Sequence, residues 1–158
     1  MNVHKRINKI LEIVLVIIMS VLVIDVLWQV TSRYILTSPS SFTDELAGFL
    51  LIWVGLLGAA YVAGRNEHLA IDILLQKMKG TNKKRLQTTI YLLILIFAVS
   101  VMVIGGSWLV YTRFVLDVRS AALELQLGYV YIVLPLSGLL ISYYAIYSLI
   151  HYSDTETK

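Results

Sequence analysis

Three small sets of polar side chains interrupt an otherwise apolar sequence, and each has types that could do chemistry. Asp25, Gln29 and Arg33 recur at four-residue steps, so on a helix they form one stripe. A carboxylate at that depth should not face lipid. It could bind an ion or a translocated anion, but the expected use is to satisfy a neighbouring helix or a partner subunit. Asp44 and Glu45 are adjacent carboxylates, a pairing that does acid and base work when a pocket shifts its proton affinity. They follow Ser38, Pro39, Ser40 and Ser41, which places them in the opening turn of a helix, where the dipole favours negative charge. Capping and partner contact are therefore their expected roles. The histidines are His4, His68 and His151, and none falls inside an apolar run, so a haem clasped by paired histidines is not expected.

The elements that position these residues follow from hydropathy. Of 158 residues, 58% are hydrophobic and only 15% charged, and the mean hydropathy is +0.79. Apolar runs predict four membrane spans at about 10–31, 45–64, 86–110 and 127–150, each close to the roughly 20 residues a bilayer requires. They leave no room for a separate soluble domain, so residues 1–158 read as a single membrane domain. The runs are continuous rather than alternating, which selects helices over barrel strands. The fold class is all-α, an integral membrane four-helix protein. The first run follows Lys5, Arg6 and Lys9 as a secretory signal would, but it is too long and ends in Trp28, Gln29, Arg33 and Tyr34, so it is expected to be a retained span.

Of the 13 Lys and Arg, only Arg33, Arg113 and Arg119 fall on one side of these spans. Both termini and the central loop are therefore expected in the cytoplasm. The net charge of +3 describes orientation and attraction to lipid headgroups rather than nucleic-acid binding. With no cysteine, disulfides and thiolate metal sites are excluded.

In the second span Gly55, Ala59 and Ala63 repeat every four residues beside Gly58, a small face that lets another helix approach. Trp53 lies too deep for an interfacial belt and is expected to fill space between helices. After Gly64, the residues Ile71, Leu74, Leu75 and Met78 follow helical spacing among charged neighbours. They predict an amphipathic helix over about 69–79 on the membrane surface, with Lys83, Lys84 and Arg85 anchoring the next span. Trp108 and Tyr111 suit a belt. The loop 112–126 mixes charge and apolar side chains, as a protein-contacting surface or an interfacial turn of helix would. Pro135 is expected to free a carbonyl and kink the last span. Among motifs there is no nucleophile elbow, phosphate loop or metal-ligand cluster, so neither enzyme activity nor a metal or cofactor is expected. Four spans without internal symmetry also lack the plan of a complete carrier.

The whole chain resembles the DctQ-like small membrane (Q) subunits of tripartite ATP-independent periplasmic (TRAP) transporters. The likeness is strongest at Arg33 and Tyr34; at Asp44 and Glu45 followed by Trp53, Gly55, Gly58 and Ala59; at His68, Ile71 and Asp72; and at Tyr131 and Pro135. It implies a bacterial inner-membrane scaffold for a large (M) subunit that performs sodium-coupled uptake of an organic acid, such as a C4-dicarboxylate or sialic acid. A periplasmic binding protein would deliver that substrate. On this reading Asp44 and Glu45 organise the outer end of the second helix, while His68 and Asp72 fix the turn into the surface helix. The alternative is a self-contained four-helix carrier or redox membrane anchor.

Overall fold

The structure is a computed structural model that describes residues 3–35, 40–65 and 81–154. Helix α1 runs Val3–Tyr34 and α2 Ser41–Arg65. Helix α3, Thr81–Phe97, passes into a π-helical segment, Ala98–Gly105, and then into α4, Gly106–Val115. A turn leads to the short α5, Leu127–Tyr131, and to α6, Val133–Asp154. Among the described residues four helical stretches are long and apolar enough to cross a membrane: His4–Tyr34, Ser41–Arg65, Arg85–Val115 and Leu127–Ile150. The expected surface helix over 69–79, with His68, Ile71, Asp72, Leu74, Leu75 and Met78, lies outside the described residues. Lys83, Lys84 and Arg85 fall in the first turns of α3.

At 1.5 Å per residue the 32 residues of α1 measure about 48 Å, against roughly 30 Å of hydrocarbon. Lys5, Arg6 and Lys9 lie in its first turns, which the surplus length leaves room to keep out of the hydrocarbon.

The four spans form an open row rather than a closed bundle. Among the described residues the backbone of α1 comes close to that of α2 only, α2 to α1 and the last span, and the last span to α2 and the third, while side chains at the start of α1 reach across to the last span. The last span is accordingly the most buried of the four, and it contributes the fully buried Tyr144, Val133 and Ser137. Its seam with the third span is closed by glycines. A Cβ at Gly138 would lie 2.7 Å from the Met102 Cβ, and one at Gly106 would lie 3.0 Å from the Leu134 Cγ. One turn beyond, a Cβ at Gly128 would enter the Phe114 ring at 2.7 Å.

Two breaks in the helical ladder have identifiable partners. Ser100 donates to the Ile96 carbonyl at 2.6 Å, which competes with the α-helical bond to that oxygen. The wider winding begins beside it and is released at Gly106, whose N–H reaches the Val101 carbonyl. In the last span the helix is interrupted at Ile132, between α5 and α6. Pro135 there has no N–H to give the Tyr131 carbonyl. The neighbouring Val130 carbonyl accepts the Trp53 indole N–H at 3.0 Å. Trp53 thus ties α2 to the break, which meets the need of a backbone oxygen in a lipid setting.

Candidate functional site

The far end of the row, opposite the chain termini, gathers most of the polar side chains singled out by the sequence. The Gln29 amide donates to Asp44, so the stripe on α1 is joined to the acidic start of α2. Asp25, one turn deeper, is buried, and its Oδ2 has no hydrogen-bond partner. Arg33 completes the stripe but is exposed.

Glu45 points the other way. Its two carboxylate oxygens accept the backbone N–H groups of Ala121 at 2.9 Å and Leu123 at 3.0 Å. One side chain at the start of α2 therefore clasps the turn that joins the third and fourth spans. That turn is preorganised. An antiparallel bridge pairs Arg119 with Gln126, and Asp117 and Glu124 take left-handed φ values of 43° and 53°. Asp117 accepts from the Gln126 amide at 2.5 Å and from the Arg119 Nε at 3.2 Å. These two donors, the amide first, hold its carboxyl below the usual carboxylate range. The acidic pair Asp44–Glu45 is thus split between two neighbours, each with its own work. It does not converge on a pocket where proton transfer could occur.

On α2, Asp44, Gly48, Leu51, Gly55, Ala59 and Val62 form one exposed line, at spacings that keep them on a single face. A Cβ at Gly48, Gly55 or Gly58 would meet nothing within 4 Å. Ala63, expected on the same face, is buried, as is Ala60 with no exposure at all; these two face the chain's own core. The small residues of α2 therefore serve two sides.

Sequence reasoning missed the lock at the end that carries the termini. The Tyr144 hydroxyl donates to the Asn8 Oδ1 at 2.5 Å, and the Asn8 amide donates to the Gly64 carbonyl at 3.3 Å. His4 stacks on Tyr147 with ring centroids 4.7 Å apart. The only available signal was one uncharged polar residue, Asn8, among basic ones, opposite a tyrosine-rich last span.

Between these ends the surface is apolar. One groove of about 450 Å³, between α1 and α6, is lined by residues including Leu11, Val14, Trp53 and Leu136. A second, of about 510 Å³ between α2 and α3, is lined by residues including Leu56, Ala59, Phe97 and Ile141. Neither offers polar groups to a hydrated solute. Among the described residues no three His, Asp or Glu gather to hold a metal ion.

Comparison with known proteins adds independent information. The family model described as "Tripartite ATP-independent periplasmic transporters, DctQ component" matches residues 21–154. The chain is 31% identical over 138 residues to a Haemophilus influenzae protein named as a TRAP transporter small permease protein, covering 86% of this chain and 83% of that one. It is 29% identical over 102 residues to the sialic acid TRAP transporter small permease protein SiaQ of Vibrio cholerae, covering 65% of this chain and 59% of that one. A stretch of 68 residues is 34% identical to the sialic acid TRAP transporter permease protein SiaT of Haemophilus influenzae, covering 43% of this chain but only 11% of SiaT.

Proposed function

The chain belongs to the DctQ family, the small permease subunits of TRAP transporters, and on that footing we propose that it is the stationary scaffold on which a large membrane subunit moves its substrate. It is a transporter component and not an enzyme, and a multi-pass protein of the bacterial inner membrane. The large subunit would carry the sodium and substrate sites, and a periplasmic binding protein would deliver an organic acid. Sialic acid is the substrate class favoured by the names of two relatives. The match to a short part of the much longer SiaT supports a small unit working beside a large permease.

The observation that carries this reading is the exposed face of α2. Lipid tails gain nothing from glycine, whereas a second helix can approach closely only where side chains are small. Gly48 and Gly55 lie open on that face, in a row of helices that leaves both flanks uncovered. We read the far end as periplasmic, because Lys5, Arg6 and Lys9 mark the opposite end of α1. The Glu45-clasped turn then becomes a rigid surface available to the large subunit or the binding protein.

Substituting Gly55→Leu and Gly48→Leu tests the reading. Because a Cβ at either position meets nothing, the subunit should fold and insert at wild-type levels yet lose its large partner on co-purification. Full recovery of the complex would refute the assignment of this face.

A further inference from the structure

We propose that Arg113, laid over the ring of Tyr131, is the receptor for a carboxylate side chain of the large membrane subunit, an ion pair of which this chain supplies one half. The inference rests on the scaffold reading and names one contact within it.

Arg113 stands in the last turn of α4, with its guanidinium carbon 5.9 Å from the centre of the Tyr131 ring. That is a cation–π contact, which holds the guanidinium by its face and supplies none of the acceptors its N–H groups need. Among the described residues no hydrogen bond or ion pair reaches the guanidinium. Nε is its one nitrogen sealed from solvent without a partner, so in this half-buried side chain the terminal pair keeps the edge a ligand can reach.

The acids at this end are engaged elsewhere. Asp44 takes the Gln29 amide, Glu45 the amides of Ala121 and Leu123, and Asp117 the Gln126 amide and the Arg119 Nε. The other outer arginines differ from Arg113, because Arg119 is paired with Asp117 and Arg33 is exposed.

Helical spacing decides between a lipid and a protein. Arg113 follows Gly106 by seven residues, so the two share a face, and Gly106 is packed against Leu134 and Pro135 of the last span. The exposed Trp108 and Tyr111 occupy the other side of α4, where interfacial rings meet headgroups. A lipid phosphate would gather on that side. Depth decides between two proteins, since Arg113 and Tyr131 fall inside the membrane-crossing stretches Arg85–Val115 and Leu127–Ile150, below the turn that a soluble binding protein would meet first. There a planar fork of donors is best matched by a carboxylate, whose two oxygens accept two N–H groups at once.

The test compares the co-expressed transporter with the lone subunit. Arg113→Gln should weaken the affinity of this chain for the large subunit by about 10-fold or more in detergent. The lone variant should unfold close to the wild-type midpoint, because loss of the ring contact is offset by removal of a buried donor without an acceptor. In complexes carrying Arg113→Lys, a carbodiimide, which joins an amine to an adjacent carboxylate with loss of water, should link position 113 to an aspartate or glutamate of the large subunit, read by mass spectrometry of the joined peptides. Equal affinity of wild type and Arg113→Gln would overturn the proposal and leave the scaffold reading standing. So would a loss of stability in the lone variant that matches its loss of complex, the absence of any link to the large subunit, or a wild-type affinity that depends on added anionic lipid in a way Arg113→Gln abolishes. A wild-type chain that never binds the large subunit would overturn both.

Discussion

Replacing Gly138 by alanine tests the seam on which the last span depends, because the sign of the effect separates two physical outcomes. The added Cβ would sit 2.7 Å from the Met102 Cβ, 3.1 Å from the Val103 Cγ2 and 3.2 Å from the Ala98 carbonyl oxygen. Carbon atoms pack at about 3.5–4.0 Å, so the Met102 Cβ has to retreat by roughly 0.8 Å. That atom is fixed to the backbone and takes the π-helical segment with it. Such overpacking costs about 1–3 kcal/mol, while alanine in place of glycine in a helix returns about 1 kcal/mol. The balance is a loss of up to about 2 kcal/mol, or as much as a roughly 30-fold fall in the folded-to-unfolded ratio. Denaturant unfolding of the purified subunit in detergent reads this out. Gly55→Ala is the control, since its Cβ meets nothing and only the gain remains. If Gly138→Ala were as stable as that control, the close approach of the third and fourth spans would be wrong.

Other consequences are narrower. Trp53→Phe leaves the Val130 carbonyl without its 3.0 Å donor and should lower stability by about 1–2 kcal/mol, measured in the same unfolding assay; an unchanged midpoint would remove the indole from the account of the helix break. Glu45→Gln should accelerate hydrogen exchange at the Ala121 and Leu123 amides, which lose their charged acceptor, while leaving exchange in α6 unaltered. Asp117 binds its proton more weakly in the folded turn than in the unfolded chain, so its support is complete above the ordinary aspartate value of about 3.9 and disappears as pH falls through the lower folded value. Exchange at the Val118 and Leu127 amides should rise on acidification in that window, and the rise should be absent in Asp117→Asn.

What the sequence disclosed divides along a physical line. Apolar runs long enough to span a bilayer announce themselves, because lipid demands continuous helices, and all four spans were legible. Helical spacing also disclosed the stripe that brings Gln29 to α2, and Pro135 signalled an interrupted last span. The π-helical segment was not legible: Ala98–Gly105 carries no charged residue and its only polar side chain is Ser100, so no polar face reveals its winding. The Glu45 clasp was hidden because its partners are backbone amides more than 70 residues away, and a backbone donor has no sequence signature. The open row was hidden for a related reason. Away from the polar ends the spans are apolar on nearly all sides, so hydropathy cannot say which faces meet each other and which remain for lipid or a partner.

Uptake into sealed vesicles tests the central claim most directly. Vesicles holding this chain alone, this chain with its proposed large subunit, or the large subunit alone would be given labelled organic acid, its binding protein and a sodium gradient. A scaffold without a route of its own gives no uptake alone and restores uptake to the large subunit when both are present. Accumulation in vesicles holding only this chain would contradict it.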